Sequence, residues 1–535
     1  MSLRDHLVTR VLGLPGPARS FWIERGLRIP MRDGVTLAAD HYVPAGEPAG
    51  TLLVRGPYGR RFPFNHLYAR PYAARGYHVL FVSSRGTAAS GGDFDPMRTE
   101  GDDGRDVVAW LVARPWFTGT FATIGPSYLG YTQWTLLADP PPELAAAVVT
   151  VGPHDFARHS WGTGALNLDL VGWSDMVSRL PRSDRPSPTA AIRQTIGGAA
   201  RKRALRPVFT DLPLADAGER HYAGRAGWFR DRVTRADLDD PYWAPMRYPQ
   251  ALDRARIPIL LHSGWQDLFL GQTVEQFARL SARGADVGLT IGPWTHSEVI
   301  GRGASILIPE ALDWLGAKLR GEPLRRASRV RAKVTGSREW REMDAWPPPT
   351  TSLAMHLLPG GGLGETAAPG SASFTFDPAS PTPAVGGPLL DGGGYVDDSA
   401  LAARADVLAF TGSPLPAPLE LLGSPVIELA HRSDNPHFDV FVRVSEVSAR
   451  GSRNVTEGYR RFAHRDEGVP LRLELLPAAH RFAAGSRIRV LVAGGCYPQF
   501  SRNLGTAENP GTGTKLAPAR HTIELGESRV VLPVG

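Results

Sequence analysis

Cysteine is nearly absent: Cys496 is the one instance in 535 residues. No disulfide can form within the chain, and no cysteine-based zinc site can be assembled. Lysine is almost as scarce, since Lys202, Lys318, Lys333 and Lys515 are all that the 60 basic residues include besides arginine. The densest basic stretch, Arg201, Lys202, Arg203 and Arg206, has no aromatic residue between its charges. That is the pattern of a solvated helix end rather than of a nucleic-acid surface. No run approaches the roughly 18 apolar residues of a membrane span. The start, MSLRDHLVTRVLGLPGPARS, scatters charges where a signal peptide would be continuously apolar. These absences predict a soluble, cytoplasmic protein that takes neither nucleic acid nor membrane as a partner. Cys496 itself reads as a small buried residue in a strand.

What is present suits a folded globular protein. Hydrophobic residues make up 42% and charged residues 21%, ordinary values for a globular protein. The chain is too long for one core, so two or three domains are expected. FWIERGLRIP and VTLAADHYVP flank an Asp33-Gly34 turn and read as a hairpin. Short apolar runs follow: TLLVRG, HVLFVSS, FATIGPS, AAAVVTVG, IPILLHSG and VGLTIGPW. Runs of this kind suit parallel strands buried on both faces. Helical spacing over residues 106–113 and 272–283 lies between them, which makes the class α/β. Over residues 155–248 the strand pattern gives way to helical stretches, an insertion placed to cover the strand ends where open α/β sheets bind ligands. From about residue 322, prolines and glycines precede alternating runs such as FDVFVRVSEV and SRIRVLVAGG, the pattern of a β-sandwich or jelly roll.

The sharpest local motif is GPSYLG at 125–130, between an apolar run and a helical one. G-x-S-x-G in that context is a nucleophile elbow, which projects the Ser127 hydroxyl above a sheet. A serine needs a base, and the base needs a partner that fixes its tautomer. In hydrolases of this kind the acid follows the serine and the histidine follows the acid. Asp267 and His296 stand in that order, each just past a predicted strand. His154, at the start of the insertion, is the rival base; His262 lies within a strand. One oxyanion donor would be the amide of Tyr128. Tyr58, in the loop after TLLVRG, could supply a second through its hydroxyl, although spacing alone allows a structural tyrosine equally well.

PYG at 57–59, SSRGTAASGG at 83–92, GPSYLG, GWQD at 264–267 and GPWTHS at 292–297 together resemble the cocaine-esterase-like serine hydrolases, relatives of the X-Pro dipeptidyl-peptidases. The resemblance continues through RADVLAFTG, SRNVTEGYRR and CYPQFSRNLGT, and so covers essentially the whole chain. It implies an α/β-hydrolase domain over residues 1–154 and 249–321, a helical cap over 155–248 and a C-terminal jelly roll over 322–535. By motif position it also implies a triad of Ser127, Asp267 and His296 with Tyr58 at the oxyanion hole. Trp161, Trp173 and Phe269 would line an acyl pocket, with packing between cap and core the alternative for each tryptophan. No metal or organic cofactor is required. The expected partner is a small-molecule ester or amide, and association as a homodimer stays open. An X-Pro dipeptidyl-peptidase and a carbohydrate-binding protein with a vestigial hydrolase domain are the competing readings.

Overall fold

The computed structural model describes residues 3–11, 13, 19–180, 198–463 and 469–535. Its N-terminal sheet begins with the expected hairpin, β1 (Phe21–Pro30) antiparallel to β2 (Thr36–Pro44). The six apolar runs become β3 (Gly50–Gly56), β4 (Tyr77–Ser83), β5 (Phe121–Pro126), β6 (Leu144–Thr150), β7 (Ile259–Gln266) and β8 (Val287–Thr295). These pair in the order β4-β3-β5-β6-β7-β8, all parallel. Every residue of β4, β5 and β7 is buried, which is why the sequence shows continuous apolarity there and no alternation.

The sheet does not stop where the sequence suggested. β9 (Val330–Lys333) adds parallel to β8, and β10 (Trp340–Met343) adds antiparallel to β9, so this sheet runs past residue 321. The indole of Trp265, on β7, donates to the Lys333 carbonyl at 2.7 Å and binds that extension in place.

Between β6 and β7 the chain leaves the sheet and forms the helices Phe156–Trp161, Asp169–Ser178, Gly198–Thr210, Leu214–Tyr222 and Phe229–Thr234. Part of the predicted cap, residues 181–197, lies outside the described residues. The cap shares one apolar cluster with the top of the sheet, in which Trp161, Trp228 and Trp243 pack with Tyr128, Tyr131 and Phe269.

The C-terminal part is mostly strands in a sandwich-like arrangement about a second core that includes Leu357, Ile427, Val442, Val490 and Leu532. Its longest strand, Ala519–Val534, pairs with Thr351–Leu358, Ser371–Phe376, Leu419–Gly423 and Val426–Ser433. Cys496 is buried as expected, but it sits in the loop after the strand Arg487–Ala493, where its thiol donates to Gln499. That loop is polar stapling rather than strand: the Gln499 carbonyl accepts from the cap amide of Leu168 at 2.9 Å. Among the described residues no helix is long and apolar enough to cross a membrane.

Candidate active site

Ser127 joins β5 to the helix Tyr128–Leu137 with φ 56° and ψ −121°, a conformation in which a side chain is strained. The flanking glycines make the turn possible. Gly125 has φ 147°, and a Cβ there would stand 2.5 Å from that of Leu129. A Cβ on Gly130 would stand 2.7 Å from the Cα of Gly152, so the helix rests directly on the chain leaving β6. Neither neighbour can swing aside, because both obstructing atoms belong to or adjoin backbone. Gly130→Ala is therefore expected to cost about 1–3 kcal/mol by overpacking, seen as an earlier midpoint in urea unfolding. An unchanged midpoint would show that the helix and β6 can separate freely.

Asp267 follows the end of β7 and is fully buried; its Oδ2 accepts from the Ser263 hydroxyl and the Phe269 amide, both at 3.2 Å. Its Oδ1 lies 2.6 Å from His296 Nδ1. His296 opens the helix His296–Ile300, whose start is held by a capping box between Thr295 and Glu298. From there its Nε2 reaches the Ser127 hydroxyl at 2.9 Å. The structure thus brings Ser127, His296 and Asp267 into one hydrogen-bonded line.

The sandwich buttresses this line from outside. Gln266, next to Asp267, donates to the Val455 carbonyl at 3.1 Å and accepts from the Asn454 side-chain amide at 3.4 Å. The hydroxyl of Ser297, next to His296, donates to the Leu390 carbonyl at 3.4 Å.

The rival histidines are elsewhere. His154 is fully buried with its Nδ1 3.2 Å from the Gln276 side-chain nitrogen, and burial first, then the charges of Arg158 and Arg279, lowers it to about 3. His262 sits in β7 beside Thr150 and is held at about 3, again chiefly by burial. Both stay neutral at ordinary pH.

Tyr58 lies within hydrogen-bonding reach of Ser127, and its hydroxyl accepts from the Trp173 indole at 3.1 Å. Burial raises its phenol above the ordinary tyrosine value, against smaller opposing effects of those two hydrogen bonds. It therefore keeps its proton and can donate it in a hydrogen bond. The Tyr128 amide heads its helix and is among the N–H groups a helix cannot satisfy internally. Its ring is anchored: the hydroxyl donates to Glu100 Oε1 at 2.9 Å, and Glu100 is held by Arg55 at 2.7 Å.

A cavity opens at Ser127 and His296. Trp173 and Phe269 line it; Trp161 does not. Trp161 is 2% exposed and its indole donates at 3.0 Å to the Arg232 carbonyl, so this side chain fills the cap core. The cavity also holds residues that the sequence did not single out: Met97, His159, Asp169, Arg232 and Leu390. His159 Nε2 is 2.8 Å from Asp169, and its ring packs 4.6 Å from that of Phe269. Asp169 opens a helix, where an acid ordinarily reads as a complement to the helix dipole. No motif pointed to Arg232.

Residues 33–298 match the family model of the X-Pro dipeptidyl-peptidase (S15 family), and residues 324–530 that of the X-Pro dipeptidyl-peptidase C-terminal non-catalytic domain. The chain is 30% identical to cocaine esterase from Rhodococcus sp. (strain MB1 Bresler), an alignment covering 91% of this chain and 93% of that one. It is 25% identical to a putative serine esterase of Mycobacterium bovis (strain ATCC BAA-935 / AF2122/97), over 89% and 92% of the two chains. Among solved structures, an aminopeptidase from a marine sediment Thaumarchaeota archaeon superposes with a TM-score of 0.80 at 21% identity, over 96% of each chain. A selenomethionine-labelled α-amino acid ester hydrolase gives 0.79 at 21% identity, over 98% of each.

Proposed function

Because this chain belongs to the family of cocaine-esterase-like serine hydrolases related to the X-Pro dipeptidyl-peptidases, we propose that it cleaves small-molecule carboxylic esters with Ser127 as nucleophile, His296 as general base and Asp267 as the residue that orients the histidine. The observation that carries this reading is the unbroken contact from Ser127 Oγ through both ring nitrogens of His296 to a fully buried carboxylate. Such a carboxylate holds Nδ1 as the protonated nitrogen and leaves Nε2 free to accept the serine proton.

The reaction then follows from the positions of the groups. Ser127 Oγ attacks the ester carbonyl and His296 takes its proton. Negative charge develops on the carbonyl oxygen, where the Tyr128 amide and the Tyr58 hydroxyl donate to it. Collapse expels the alcohol, protonated by His296, and leaves the acyl group on Ser127. Water, deprotonated by the same histidine, attacks the acyl-enzyme and releases the acid. Trp173 and Phe269 form the apolar wall against which the acyl chain lies. Cleavage of an X-Pro peptide would require an anchor for the terminal ammonium, and the Asp169 carboxylate is already committed to His159.

The test is turnover of p-nitrophenyl acyl esters beside an X-Pro p-nitroanilide, together with labelling by a fluorophosphonate and peptide mapping. Ester turnover with the label on Ser127 supports the proposal; a label elsewhere, or preference for the anilide, counts against it. Tyr58→Phe removes one oxyanion donor and is expected to lower kcat by about 10²–10³-fold with KM little altered. A KM effect alone would make Tyr58 a packing residue.

A further inference from the structure

Arg232 is a charged group with little to hold it. It is 1% exposed on the helix Phe229–Thr234, and a guanidinium carries five N–H donors in a fixed fork and no acceptor. One terminal nitrogen donates to the Pro96 carbonyl at 2.6 Å and lies 3.3 Å from the sulfur of Met97 and 3.6 Å from that of Met246. Thioethers are weak acceptors, and the Nε of Arg232 has no hydrogen-bond partner. Among the described residues no carboxylate comes within ion-pair distance of it.

The charged groups around it are committed elsewhere. Asp95, which feels the charge of Arg232, is paired with Arg98 at 3.1 Å; Asp231, on the same helix, is paired with Arg235 at 3.1 Å. Asp169, across the cavity lining, is taken by His159. The buried hydroxyl of Tyr242 lies beside Arg232, but it is neutral and brings no counter-charge. Arg55, a buried arginine on β3, has its carboxylate in Glu100. Burying a guanidinium without a counter-charge is unfavourable unless something else compensates it.

Arg232 also lines the cavity into which Ser127 opens. Resting on the esterase reading above, we infer that Arg232 is a specificity residue that receives a carboxylate at the far end of the acyl chain. The substrates are then half-esters of dicarboxylic acids, whose reacting carbonyl lies at Ser127 while the distal anion meets the guanidinium. A carboxylate matches the planar donor fork of arginine and replaces the hydration that burial has removed.

The experiment compares kcat/KM, by pH-stat titration, on monoethyl glutarate and monoethyl adipate with that on ethyl pentanoate and ethyl hexanoate, in the wild type, Arg232→Met and Arg232→Lys. The wild type is expected to favour the half-esters about tenfold or more, the methionine variant to lower that ratio at least tenfold, and lysine to restore part of it. A wild-type ratio of one or less, or a ratio that Arg232→Met leaves unchanged, overturns the inference. If the methionine variant fails to fold, calorimetry on the wild type decides: glutarate binding tenfold tighter than pentanoate supports the site, and equal binding overturns it. Neutral esters cleaved without any preference for a distal carboxylate would leave the serine mechanism standing and remove the anion site alone. Calorimetry decides on that site even if no ester is turned over.

Discussion

Replacing Ser127 by alanine is expected to lower kcat on a p-nitrophenyl acyl ester by about 10⁵–10⁶-fold, the scale seen when a triad serine is lost. The size follows from what Oγ does in the proposed cycle. It is the atom that bonds to the acyl group, and no other hydroxyl of the cavity stands 2.9 Å from His296 Nε2. Substrate binding should change little, because alanine leaves the walls formed by Trp173, Phe269 and Tyr58 in place. The strain at this position gives a useful control. With φ at 56°, alanine carries the same backbone cost as serine, so the unfolding midpoint should stay close to that of the wild type. Steady-state kinetics with an active-site titration makes the measurement. A folded alanine variant that keeps its activity would remove Ser127 from the mechanism.

Asp267→Asn should cost about 10⁴-fold in kcat. The carboxylate accepts from His296 Nδ1 at 2.6 Å through Oδ1, while Oδ2 is held by Ser263 and the Phe269 amide at 3.2 Å. Those two donors favour keeping the amide oxygen where Oδ2 now lies. The amide nitrogen would then face His296 and donate to Nδ1, so the ring would carry its proton on Nε2. That is the wrong tautomer to accept from Ser127. A variant that binds a substrate analogue with wild-type affinity yet turns over slowly is the expected outcome. If kcat fell less than tenfold, the carboxylate would be dispensable and the orientation argument would be lost.

The parallel strands were legible because strands buried on both faces must be apolar along their whole length. β9 and β10 were not, since VRAK and WREM are four-residue segments at the sheet margin whose charged side chains find solvent or ion pairs, as Arg331 does with Glu310. Their place depends on contacts such as Trp265 to Lys333 that no local pattern announces. The residues of the proposed triad could be singled out from one principle, that each sits just past a strand on the same edge of the sheet. The cap was harder. Trp161 and Trp173 belong to successive helices of the cap, and which indole faces the cavity is decided by packing: one is tied to the Arg232 carbonyl, the other to the Tyr58 hydroxyl. Arg232, one arginine among dozens, stands out only when its lack of a carboxylate is seen in three dimensions.

The strand Ala519–Val534 hydrogen-bonds to four others, and each of those is synthesised earlier than it is. Until it emerges, they have no common partner. Pairings between residues so far apart in sequence are slow to form. Yet the neighbours of Asp267 and His296 lean on Val455 and Leu390, within the same late-folding region. A nascent chain therefore carries all three side chains of the proposed triad long before it carries their outer support. On the proposed mechanism, competence to cut esters is then acquired only once that strand has been made, and a chain cut short before it would have the chemistry without the alignment.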